Sequence, residues 1–110
     1  MSNDKILELG DLAALAQARI QKEFSQIDPV IGVLRSMREA GYPADAMTID
    51  CFKTGKRILL ILHDSKPNQV DYQFCLRDQD PASEYQQIPL SAVTEEQFYQ
   101  WIKQYFSDQH

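Results

Sequence analysis

Two thiols and one imidazole, Cys51, Cys75 and His63, are the side chains best suited to covalent chemistry in this chain of 110 residues. A cysteine nucleophile needs a base within hydrogen-bond reach. The segments that carry the three residues read as strands of a meander. In a meander Cys51 lies beside the Thr54-Gly55 turn and His63 lies at the far end of the next strand. Five or six residues at about 3.3 Å each separate them by roughly 17–20 Å. Cys75 is similarly distant from His63. The two thiols sit on strands separated by the central one, about 9.6 Å apart, whereas a disulfide needs Cα atoms within about 7 Å. The sequence therefore predicts buried or half-buried thiols of structural character and assigns no catalytic residue.

Metal chemistry fares no better. His63 beside Asp64, and His110, are the histidine positions, and no Cys or His pair has ligand spacing. Asp78, Asp80 and Glu84 in the stretch RDQDPASE carry oxygen ligands but lack the glycine and twelve-residue spacing of a calcium hand. They read as a solvated loop. The four glycines are isolated, so no phosphate-cradling loop is present. No metal or cofactor is expected.

The balance of charge bounds the partners. The net charge is −5 and the isoelectric point is near 4.8, which argues against a nucleic-acid partner. Lys53, Lys56 and Arg57 form one small basic cluster at a turn tip. Tyr72 and Phe74 alternate with Asp71 and Gln73 and are expected to point into the core rather than stack on bases. The longest apolar run is five residues, 58–62, against about 20 for a membrane helix, so no membrane partner is expected. The start MSNDKILELG lacks the features of a secretion signal. With two cysteines, a reducing cytoplasm is the default. Length and composition predict one domain over 1–110.

The elements that position these residues follow from periodicity. Leu12, Ala16, Ile20 and Phe24 recur every four residues and predict a helix over 11–26, with Leu15 and Ile27 widening its stripe and Asp11 near its start. Asp28 and Pro29 read as the N-cap and first residue of a second helix ending before Gly41. Val30, Val33, Leu34 and Met37 would form its stripe. The period then shortens to two. Strands are predicted at 47–52, at RILLILHD (57–64) and at 70–76, with a short fourth at 85–90 near Pro89. Thr94 and Gln97 form a capping box for a last helix, with Phe98, Trp101, Ile102, Tyr105 and Phe106 on one face. The expected fold is α+β: an antiparallel meander of three to four strands with helices mainly on one face, in the order ααβββ(β)α.

RILLILHD is apolar at five consecutive positions, so both faces of the central strand need cover. A two-residue turn would pair Cys51 with Ile58. A three-residue turn with Gly55 as bulge would pair it with Arg57 and exchange the faces. Helix one could cross to the second face, a second copy could pack there, or another protein could bind. The reading carried forward is a non-catalytic protein-interaction module, with self-association as a homodimer the first candidate. Its surface is the second sheet face: Thr48, Phe52, Leu59, Ile61, Asp71 and Gln73, with Asp50 on the rim. Two other readings stand beside it. One is an acidic inhibitor or mimic of a basic partner, using Asp71, Asp78, Asp80 and Glu84. The other is a small enzyme with a site near His63 formed between subunits.

Overall fold

A computed structural model describes residues 4–107; His110 lies outside them. The elements in chain order are α1 (Lys5–Glu23), β1 (Pro29–Leu34), α2 (Ser36–Glu39), β2 (Ala44–Cys51), β3 (Lys56–His63), β4 (Gln69–Leu76), β5 (Gln86–Pro89), a 3-10 turn (Leu90–Ala92) and α3 (Glu95–Phe106). The five strands pair antiparallel in sequence order. The class is α+β and the sheet is a meander with RILLILHD at its centre. The strand count is one more than expected.

The extra strand replaces most of the second helix. Residues 29–34 form β1, opposite β2 from Pro29↔Cys51 to Leu34↔Ala46. Val30, Ile31 and Val33 are β-branched, stiff at χ1 and suited to a pleated surface. Their spacing satisfies a helical stripe, but Ile31 and Val33 also alternate with Val30, Gly32 and Leu34. Pairing with β2 decides between the two periods. Pro29 takes the first strand position, where a missing N–H is tolerated. The helix survives as the single turn α2, after which Tyr42 N–H bonds to the Met37 carbonyl at 2.8 Å. Gly41 closes that turn at φ 100, a left-handed angle that glycine adopts without a Cβ clash.

α1 begins six residues earlier than the periodicity suggested and runs through Gly10. Its buried positions are Ile6, Leu9, Ala13, Ala16 and Ile20, whereas Leu15 is exposed. The stripe is thus one face wide, and α1 stays on the same side of the sheet as α3. Thr94 caps α3 as its sequence predicts, its Oγ1 accepting from Gln97 N–H at 3.1 Å. Phe98, Tyr99, Trp101, Ile102 and Phe106 are buried. Arg19 of α1 bridges to Glu95 at 3.4 Å and Glu96 at 3.0 Å, and the Tyr99 hydroxyl donates to Glu23. Between helices and sheet lie Met47, Ile49, Ile58, Leu60 and Val70, all fully buried.

The β2–β3 turn has four residues, 52–55, and sets Cys51 opposite Lys56, unlike either register considered above. Gly55, at φ 75, occupies its last position and its N–H bonds to the Cys51 carbonyl at 2.8 Å. Lengthening a two-residue turn by two residues preserves parity. Ile58, Leu60 and Leu62 therefore face the helices, and Leu59 and Ile61 face away.

Candidate functional site

The face turned away from the helices is built in rows across the strands. Gly32, Thr48, Leu59 and Gln73 share one row, because Gly32 pairs with Thr48, Thr48 with Leu59 and Leu59 with Gln73. The next row is Leu34, Ala46, Ile61 and Asp71. The row on the other side is Val30, Asp50, Arg57 and Cys75. Five of the six residues expected to share this face do so by register: Thr48, Leu59, Ile61, Asp71 and Gln73. Phe52 stands one residue past the end of β2 and is exposed. The Arg77 guanidinium lies 4.1 Å over its ring, a cation–π contact.

No helix lies over this face among the described residues. Its floor, Ala44, Ala46 and Thr48, is nevertheless buried. Short side chains on β2 are shaded by larger ones on β1 and β3. The predicted meander begins with 47–52 and so makes it an edge strand; that is corrected here, because β1 lies beyond it and β2 is an interior strand buried along its length.

The polar groups at the ends of the face are paired within the chain. Asp50 receives Arg57 Nε at 2.7 Å and Nη2 at 3.0 Å, a bidentate fork, and Arg77 Nε lies 3.5 Å away. At the opposite end His63 Nε2 stands 3.4 Å from Asp71 Oδ2. Gln73 acts as a clamp: its Oε1 accepts from Ala82 N–H at 2.9 Å, and its Nε2 donates to the carbonyls of Ala82 and Glu84 at 3.0 and 3.1 Å. This fastens the 77–85 loop to the margin of the face. Sequence reasoning placed Asp50 on the rim but missed its partner, although Asp50 and Arg57 are direct cross-strand neighbours. It also missed Val30 and Leu34, which lay hidden in the helix assignment.

The thiols divide between the faces. Cys51 is buried on the helix side, and Cys75 is partly buried opposite Arg57 on the open side; both are free. Burial pushes the Cys75 thiol above its ordinary pKa, with the Arg57 charge opposing that shift. A raised thiol is a poor nucleophile at neutral pH. His63 lies six positions along β3 from Arg57, about 20 Å at strand spacing, so it cannot serve Cys75 as a base. The three bases at the turn tip also disperse. Lys53 donates to the Gln26 carbonyl, Lys56 to the Tyr105 carbonyl, and Arg57 to Asp50.

Concavities lie elsewhere on the molecule. One, about 470 Å³, contains Arg35, Arg38, Asp4, Asp45 and Asp64. Arg38 spans Asp45 at 3.0 Å and Asp64 at 2.7 Å, which raises its own pKa and lowers that of Asp64. Arg35 holds Asp4. These ion pairs join the start of α1 to α2, β2 and the end of β3. Among the described residues no group of three His, Cys, Asp or Glu side chains is placed to hold a metal ion. Another, about 670 Å³, lies where β5 begins and is lined by Tyr72, Phe74, Tyr85 and Trp101 beside Glu84 and Gln104. Tyr72 packs on Trp101 at 4.6 Å and Phe74 stacks on Tyr105 at 4.8 Å between ring centroids. The aromatics on 70–76 thus belong to the α3 side, as their alternation implied. No helix among the described residues is long and apolar enough to cross a membrane.

No protein-family model, curated protein or solved structure matches this chain.

Proposed function

We propose that the chain is a non-catalytic protein-binding module whose contact surface is the open face of the sheet. The observation that carries this reading is the contrast within β3. Leu60 is sealed under the helices, while the face with no second layer among the described residues carries Leu59 at 7% exposure, half-buried Ile61, and Val30 and Leu34 at 39% and 43%. Apolar patches of this kind, rimmed by polar groups, mark association surfaces. The rim groups are already paired, Asp50 with Arg57 as an ion pair and Asp71 beside the His63 ring. Such a face suits a partner that supplies apolar area rather than charge.

The acidic-mimic reading draws less support. Asp71 stands against His63 on the sheet, so it is not grouped with the exposed Asp78 and Asp80 of the loop. The test is site-specific photocrosslinking with a benzophenone side chain at Ile61, with exposed Lys103 on α3 as control. The reading expects a discrete adduct from Ile61, with a second copy or another protein, that Thr48→Arg abolishes. Equal adducts from both positions, or none specific to Ile61, would contradict it.

A further inference from the structure

On one side the sheet ends at β1, an edge strand without a charged side chain. Among the described residues no strand lies beyond β1. Edge strands usually carry a charge, a bulge or a cover against pairing with another chain. β1 reads PVIGVL, without a charge, and runs in unbroken register along β2.

The direction of its backbone groups follows from the ladders. Hydrogen-bonded residue pairs alternate with open pairs along antiparallel strands. The bonds from Asp64 N–H to the Pro43 carbonyl and from Arg77 N–H to the Gly55 carbonyl extend the β2–β3 and β3–β4 ladders and fix their phase. Carried across β2, that phase turns Val30, Gly32 and Leu34 toward β2. It turns Ile31 and Val33 outward. Gln17, whose amide caps the Pro29 carbonyl from outside the sheet, agrees with this phase. No described residue outside the ladder bonds the outward groups of Ile31 or Val33.

We infer that β1 is a self-pairing edge: two copies of this chain join antiparallel through it, about a two-fold axis at Gly32, into one ten-stranded sheet. This does not rest on the open-face reading above. The register follows from the donors. Centred on Gly32, Ile31 of each copy meets Val33 of the other, and all four outward N–H groups find carbonyls. Centred on Ile31, Val33 would meet Pro29, which has no N–H to give.

The side chains favour the same register and a second copy as occupant. Val30, 39% exposed, would stand opposite Leu34, 43% exposed, on both sides of the axis. Gly32 would meet itself with no side chain in the way. Asp28 and Arg35 flank β1 and are partnered within the chain, by Gln21 and by Asp4, so the edge offers backbone and apolar contacts rather than charge. On the helix side, the flank of α1 beside β1 is marked by Gly10, whose Cβ position is 3.7 Å from Val33, and by Gln17. Leu7 and Ala14 continue that flank by helical spacing, and it carries no charge. Leu7 is 48% exposed. A two-fold perpendicular to the sheet puts both α1 helices on the same side, with these flanks facing.

The test is mass by light scattering over a dilution series, with circular dichroism to verify folding. The native chain is expected at twice the 12.7 kDa of one copy. Val30→Lys with Leu34→Lys places like charges opposite one another and should weaken association on the order of tenfold or more, about 1.4 kcal/mol at the least. Val30→Lys with Leu34→Glu makes those contacts attractive and should restore the dimer. A native monomer at every concentration overturns the proposal. So does a folded double-lysine variant that keeps the native mass, or a charge-swapped variant that stays monomeric. Lys103→Glu on α3, away from β1, should leave the mass unchanged; a monomer produced by Ile61→Lys alone would move the contact to the open face and overturn the edge.

Discussion

Leu60 and Leu59 are consecutive residues of one strand, with the same chemistry and different work. Leu60 is 0% exposed beneath α1 and α3, and Leu59 is 7% exposed on a face without a second layer. On the helix side, apolar chains from α1, α3 and all five strands interlock in one cluster. On the other side the floor is small, the neighbours lie in the same sheet, and the polar groups are paired laterally. Low exposure has two causes here, enclosure and shading, and only enclosure makes a residue indispensable to the core.

The largest effect should separate the leucines directly. Leu60→Ala leaves a cavity in an enclosed site and should cost about 3 kcal/mol or more. Leu59→Ala removes chain that solvent or neighbours can replace, and should cost about 1 kcal/mol. Urea unfolding of both variants measures the difference, and equal losses would mean that the open face is enclosed.

A smaller effect sharpens the comparison at the rim. Asp50→Asn keeps the shape but removes the charge that receives Arg57. A half-buried guanidinium left without its carboxylate should cost about 1–2 kcal/mol. The double change with Arg57→Gln should recover part of that loss, and the cycle isolates the pair.

The smallest effect is kinetic. Cys75 lies on the open face with its thiol held above the ordinary pKa by burial, so its thiolate fraction lags as pH rises. Iodoacetamide should modify it more slowly than a free thiol at mildly alkaline pH, with the rate still climbing above the normal thiol range. Cys51, on the enclosed face, should react only on unfolding. Two cysteines alkylated at one rate in the native protein would erase the distinction between the faces.

The parts of this architecture that were legible in sequence had unambiguous signals. The α3 stripe with its Thr94 cap and the one-sided alternation of 70–76 each had a single period, and the central position of RILLILHD followed from its unbroken apolar run. Residues 29–34 misled because Val30, Val33 and Leu34 fit a helical stripe while Ile31 and Val33 also alternate with Val30, Gly32 and Leu34. Pro29 suits the first position of either element. Only the β2 partner resolves that choice, and no local property of the segment encodes it. The Asp50–Arg57 pair was hidden for a related reason: it depends on a four-residue turn, and turn length was the undetermined quantity.

The most direct test of the two-faced sheet is urea unfolding of Ile61→Lys. Lysine is chosen because Asp71 is the direct cross-strand neighbour of Ile61, so the new charge meets an opposite one. The account predicts a folded protein with stability within about 1 kcal/mol of the native chain, in the range of surface substitutions. A chain that unfolds, or loses as much as Leu60→Ala, would show that the second face is core and contradict the account.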